Sequence, residues 1–263
     1  MGPWFLTGCN ALIPRKDPID RLLQGGADRL LIATDFDGTL AAIVPEPADA
    51  RPLPGAIEVL QELVPRVLRV AIVSGRSTAD LQRLLPVEGL LLLGDYGQPD
   101  SRPSDLDALG RFNLAAAELV ARFPGLQLEE KPASTSLHFR ARPAPGPELL
   151  DQAQKLAEPL GLAVRRGRLV VEVLPGGWDK ARALRHLLEE LAPKAALYGG
   201  DDYGDRGCFE YLASLEMPHL AVGVSSPETP AEVFAACDLV VEGPERYLEL
   251  FTRLAAATAA LRP

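Results

Sequence analysis

In the stretch LLIATDFDGTLAAI, residues 30–43, Asp35 and Asp37 stand one residue apart directly after an apolar run. A DxD ahead of Gly-Thr is, taken alone, most often a solvated turn. Three further segments place polar residues in the same way: Ser74 after RVAIV, Lys180 at the start of a helical pattern, and Asp201, Asp202 and Asp205 after AALYGG. Each is weak alone, since a Ser-Gly pair is common in loops and a helix lysine is usually solvated. Their ordered recurrence at the end of an apolar strand, or in the first turn of the next helix, gives them a common purpose. Clustered carboxylates repel one another unless a cation offsets them, and hard oxygen donors suit Mg²⁺. A carboxylate beside such an ion can attack phosphorus, while a lysine and a serine hydroxyl hold the transferring oxygens. Phosphoryl transfer needs little beyond alignment and charge compensation. A glycosidase pair fits poorly, because its two carboxylates must flank a sugar ring.

These residues need a scaffold that brings strand ends together. RLLIAT (29–34), VLRVAIV (67–73), GLLLL (89–93), AALYGG (195–200), HLAVGV (219–224) and DLVV (238–241) read as apolar strands. Helical patterns separate them: LPGAIEVLQELVPR, STADLQRLLP, DKARALRHLLEEL, RGCFEYLASL, TPAEVFAAC and the closing GPERYLELFTRLAAATAAL. Alternating strands and helices define an α/β class with an open sheet, whose site lies at the carboxyl ends of the strands. Between about residues 104 and 174 the pattern becomes helix-strand-strand twice over, with antiparallel hairpin signals in LQLEEK, STSLHFRA, LAVRRG and RLVVEVLP. The expected organisation is an N-terminal extension or added helix (1–26), a core domain (27–103 and 176–263) and an inserted α+β module (104–175).

The 263 residues carry a formal net charge of −9, with no Lys/Arg cluster, which argues against nucleic acid as a partner. Three scattered cysteines, Cys9, Cys208 and Cys237, suit a reducing compartment. No apolar run approaches a membrane span, and the N-terminus reads poorly as a signal peptide. A cytoplasmic protein is therefore expected, with no membrane partner and with a monomer as the working expectation.

DFDGTL, SGR, GGWDKA and GGDD…D, in this order, resemble the four motifs of the haloacid dehalogenase-like phosphatase superfamily, over essentially all of residues 28–250. The resemblance implies a Rossmann-like core in which Asp35 is the nucleophile and Asp37 the general acid, then the base. Ser74 and Lys180 would bind phosphate oxygens. Asp35, Asp201 and the Asp37 backbone carbonyl would hold Mg²⁺, with Asp205 and Asp202 in support. Amides around Phe36, Gly38 and Gly75 would add donors to the phosphate. Arg76 is expected on the phosphate side or at the cap. Because the insert falls between Ser74 and Lys180, it resembles the superfamily's large cap between the second and third motifs. A cap of that kind goes with a small phosphorylated metabolite.

LEEKPASTSLHFR and VVEVLPGGWDKARAL are similar to the trehalose-6-phosphate phosphatase family. That resemblance implies a sugar site lined by Glu130, Lys131, His138, Arg140 and Glu172. The ordinary alternatives are a solvated charge pair for Glu130 and Lys131, and a polar sheet face for His138 and Arg140. Glu172 differs, because a charge within the apolar strand VVEVL is costly unless paired. The chain departs from that family's pattern at Gly204-Asp205-Arg206 and at Gly94-Asp95-Tyr96-Gly97. Sucrose phosphate or a glycosyl phosphoglycerate is the competing substrate, the latter favoured by any positive charge from Arg140, Arg165, Arg166 and Arg168. A non-catalytic regulatory protein on the same fold is the alternative from another class.

Overall fold

Five consecutive buried residues, Leu30–Thr34, form β1 near the middle of a six-stranded sheet in this computed structural model, which describes residues 17–44, 46–98, 103–139, 146–167, 169–176 and 178–261. Its partners are β2 (Arg69–Val73), β3 (Leu91–Leu93), β8 (Ala195–Gly200), β9 (His219–Ser225) and β10 (Leu239–Glu242), in the order β10-β9-β8-β1-β2-β3, all parallel. The period of two along β1 explains its unbroken apolar run. Leu30 and Ile32 join one buried cluster, and Leu31 and Ala33 join the other.

Helices cover both faces. On the first lie α1 (Pro18–Leu22), α2 (Ala56–Leu63), α3 (Thr78–Leu84) and α8 (Gly243–Ala260); on the second lie α6 (Lys180–Leu191) and α7 (Arg206–Ala213). In α2 the buried residues Ala56, Val59, Leu60 and Leu63 recur at helical spacing and form one stripe. Truncating the fully buried Leu60 to alanine would cost about 2–5 kcal/mol. Helix α6 begins sharply because the Asp179 side chain accepts from the Arg182 amide at 2.6 Å.

A second sheet, β4-β5-β7-β6, comprises β4 (Gln127–Glu130), β5 (Thr135–His138), β6 (Leu162–Gly167) and β7 (Val170–Pro175), all antiparallel. Helices α4 (Pro103–Arg122) and α5 (Gly146–Ala157) share its apolar face, where Phe112, Leu119 and Leu149 pack with Leu137, Val171 and Val173. The register sets Glu129 opposite Ser136, Ser136 opposite Glu172, and Glu172 opposite Arg165. One polar row therefore crosses all four strands on the face away from those helices.

One local expectation changes. TPAEVFAAC forms only a 3₁₀ turn, Ala231–Phe234. Asp238 then rejoins the sheet beside β9, its amide donating to the Ala221 carbonyl and its carboxylate accepting from the Ala221 amide. In the N-terminal region, residues 17–26 carry the short α1, with Ile19 and Leu22 buried in the first cluster, and residues 1–16 lie outside the described set. Among the described residues, no helix is long and apolar enough to cross a membrane.

Candidate active site

β1, β2 and β8 end side by side, and their register delivers Asp35, Ser74 and Asp201 to one end of the sheet. The Asp35 amide donates to the Gly199 carbonyl at 2.8 Å, which ties the strand end to β8. Beneath it the Tyr247 hydroxyl donates to Thr34 Oγ1 at 2.9 Å, and Thr34 donates to the Asp35 carbonyl at 3.1 Å. Helix α8 thus supports the aspartate through a buried chain of hydroxyls.

Lys180, in the first turn of α6, reaches across the sheet end. Its Nζ lies 2.9 Å from Asp35 Oδ2 and 2.9 Å from Asp205 Oδ1. Burial works against its charge, but Asp205 and Asp35 outweigh burial and hold its pKa above the usual range. The Asp35 carboxyl is pushed well up by burial; Lys180 opposes this, while Asp205, Asp202 and Asp37 add to it. Burial raises Asp201 as well, reinforced by Asp202, Asp35 and Asp205.

Asp35, Asp201 and Asp205 are buried, and each offers a carboxylate oxygen within 4.8 Å of the others. Three buried carboxylates beside one lysine leave negative charge uncompensated, which fits a hard divalent cation. Gly38, at φ +79°, is required nearby because a Cβ there would collide with the Asp201 carboxylate. Asp205 already accepts four bonds. Oδ1 takes Lys180 Nζ and the Tyr198 hydroxyl (2.7 Å), and Oδ2 takes the amides of Asp201 (3.0 Å) and Asp202 (3.1 Å). Asp202 in turn accepts from the Gly204 amide at 2.7 Å. Arg206 turns outward to Glu210, so the basic residue in the fourth motif stands away from the site.

Asp37 points elsewhere. Arg76 holds both of its oxygens, and the Arg76 amide donates to Ser74 Oγ at 3.2 Å. The Gly38 amide donates to the Ala41 carbonyl at 2.8 Å, so it is already committed and is not the phosphate donor expected of it.

A cleft of about 310 Å³ joins this end of the parallel sheet to the polar row of the antiparallel one. Asp35, Asp37, Ser74, Arg76, Lys180, Asp201 and Asp202 line one side, while Glu129, Glu130, Lys131, His138 and Glu172 line the other, with Arg165 and Arg166. Glu129 was missed by sequence reasoning. It pairs with His138 Nε2 at 2.8 Å and with Lys131 at 3.6 Å, and these partners, His138 first, hold its pKa below the usual range against burial. Glu130 alternates with it on β4 and is exposed. The alternation rule could have found Glu129, because it shares a face with Ser136 and Glu172. Glu172 is half-buried, receives the Tyr96 hydroxyl's hydrogen bond and lies 3.7 Å from Lys131; loss of solvent first, then Asp202, raises its pKa to about 8. Arg140 and Arg168 lie outside the described residues. Trp178 lies apart from the cleft, under the Arg182 guanidinium at 4.2 Å.

The fold resembles that of a haloacid dehalogenase-like hydrolase from Bacteroides thetaiotaomicron, which superposes with a TM-score of 0.61 at 17% identity, over 85% of this chain and 98% of the other. The C-terminal domain of trehalose-6-phosphate phosphatase from C. albicans superposes at 0.76 and 20% identity, over 95% and 99%. A family model for trehalose-phosphatase matches residues 33–236, and the chain belongs to that family. The trehalose-phosphate phosphatase of Mycobacterium tuberculosis is 32% identical over 240 residues, 84% of this chain and 60% of its own length. That of Mycobacterium marinum is 33% identical over 247 residues, 86% and 62%. The chain thus spans about three fifths of the length of the curated relatives it matches.

Proposed function

We propose that this protein hydrolyses trehalose 6-phosphate to trehalose and phosphate. The observation that carries the reading is the two-sided cleft, in which a carboxylate-lysine-serine cluster faces a row of sugar-binding residue types. Asp35 attacks phosphorus through a carboxylate oxygen, forming an acyl-phosphate as the bond from phosphorus to the sugar oxygen breaks. Asp37 protonates that leaving oxygen. It then takes a proton from the water that attacks phosphorus and releases Asp35. Ser74 and Lys180 hold the phosphate oxygens, and Lys180 also keeps Asp35 oriented.

Asp35, Asp201 and the Asp37 backbone carbonyl would hold Mg²⁺, which when bound offsets charge on the phosphate oxygens. Asp205, whose oxygens accept four bonds, orients the Asp201–Asp202 amides and Lys180 behind them. Asp202 contributes negative charge at the rim. On the far side, Glu129 and Glu172 accept sugar hydroxyls, and Lys131 and His138 donate to them or orient those carboxylates. The second sheet acts as a cap that excludes water from the reacting phosphate. The free cysteines Cys208 and Cys237 suit work in the reducing cytoplasm.

The test is phosphate release from trehalose 6-phosphate, sucrose 6-phosphate, glucose 6-phosphate and glucosyl phosphoglycerate, each with Mg²⁺ and with chelator. Preference for trehalose 6-phosphate, lost on chelation, is expected. Metal-dependent preference for another ester would keep the chemistry and overturn the substrate. No release from any ester would favour a regulatory protein on this fold.

A further inference from the structure

Tyr96 is buried at the junction of the two sheets, in a turn (Asp95–Gly97) that follows the edge strand β3. Its backbone is left-handed, φ 60°, directly after Asp95 at φ 50°. Two successive non-glycine residues in that region carry a conformational cost and persist only where the surroundings enforce them. Here the enforcement comes from the phosphate-side loop: the Asp95 amide donates to the Arg76 carbonyl at 2.8 Å, and the Tyr96 amide to the Ser74 carbonyl at 2.9 Å.

The neighbours leave a channel for the ring. A Cβ at Gly75 would stand 2.5 Å from the Tyr96 hydroxyl and 2.8 Å from its Cζ, so a larger residue there would displace the tyrosine. The Arg165 guanidinium lies 5.8 Å from the ring centroid. At the far end the hydroxyl donates to Glu172 Oε2. Glu172 Oε1 takes its partners from the antiparallel sheet, the Ser136 hydroxyl at 3.5 Å and Lys131 at 3.7 Å. One oxygen of Glu172 is therefore held from each side of the cleft.

We propose that Tyr96 is a positioning residue for substrate specificity: anchored to the Ser74–Arg76 loop, its hydroxyl fixes Glu172 at a set distance from the phosphate site. The proposal rests on the sugar-phosphate reading above. A rigid ring between the two sites makes the span from phosphorus to sugar hydroxyl part of what is recognised. Nothing in this arrangement touches the reacting phosphate, so the effect should appear in binding of the sugar.

The test compares wild type, Y96F, E172Q and the double variant on trehalose 6-phosphate and on p-nitrophenyl phosphate, with Mg²⁺ present and melting temperature as a folding control. For trehalose 6-phosphate, Y96F should raise KM about 3- to 10-fold, the range for an ordinary hydrogen bond, with kcat little changed. Hydrolysis of p-nitrophenyl phosphate should be unaffected, and Y96F should add less than about twofold in the E172Q background. Unchanged KM in Y96F overturns the proposal, as does an equal loss on both esters, which would place the hydroxyl's effect in the phosphate loop. A wild type that cleaves the aryl ester but no sugar phosphate overturns the underlying reading, and this one with it.

Discussion

Arg76 grips Asp37 with two parallel bonds, Nε to Oδ2 at 2.6 Å and a terminal nitrogen to Oδ1 at 2.7 Å. The Arg76 side chain is 12% exposed and its guanidinium lies 5.6 Å from the Phe36 ring centroid, so the fork is held on three sides. In this state each Asp37 oxygen takes one bond from Arg76, which leaves each a second site toward the cleft. R76K keeps the charge but loses the fork. We expect kcat on trehalose 6-phosphate to fall about 10- to 100-fold, with a smaller loss on p-nitrophenyl phosphate, whose leaving group needs no proton. Equal losses on the two esters would mean that Arg76 acts on phosphate and not through Asp37.

Asp35→Asn removes the attacking oxygen while keeping its shape. Turnover should drop at least about 10⁴-fold, as for other covalent nucleophiles. Circular dichroism should be unchanged. Activity near wild type would end the acyl-phosphate mechanism.

A divalent cation should stabilise the fold, because it offsets the burial and the repulsion that raise Asp35 and Asp201. Saturation at a hundred times Kd contributes about 2.7 kcal/mol. For a chain of this size that is a melting shift of roughly 5–10 °C. Differential scanning fluorimetry should record the shift with Mg²⁺ in wild type and lose most of it in D201N. An equal shift in both would place the ion elsewhere.

Glu172 should make stability depend on pH. Its folded pKa, raised to about 8, lies above the ordinary 4.5. The folded state therefore binds the proton more tightly than the unfolded chain does. That contribution is complete below about pH 4.5 and is lost as pH rises through about 8. Melting curves of metal-free wild type and E172Q, compared between those limits, should show wild type losing stability relative to the variant as pH rises. A constant difference would mean that Glu172 stays charged throughout.

The two neighbouring glutamates of β4 should behave differently. E129Q weakens the contacts to His138 and Lys131 and should raise KM for the sugar ester about tenfold. E130Q, exposed at the rim of the cleft, should have the smaller effect and leave KM within about twofold. Steady-state kinetics on both variants would detect the reverse order, which would restore Glu130 as the sugar residue.

The parallel sheet and the residues at its strand ends were legible in the chain because each depends on a local run. RLLIAT must be a strand buried on both faces, so Asp35 must stand at its end, and the same logic carries Ser74, Asp201 and Lys180. The order of these segments is where the phosphoryl-transfer proposal starts. Other features needed the tertiary structure. Which of Glu129 and Glu130 shares a face with Ser136 and Glu172 depends on the pairing of β4 with β5, a contact between strands whose register no single segment determines. The four bonds to Asp205 and the reach of Tyr96 to Glu172 arise between elements far apart in sequence. Local physics sets which residues end a strand; only packing between distant elements decides what those residues then touch.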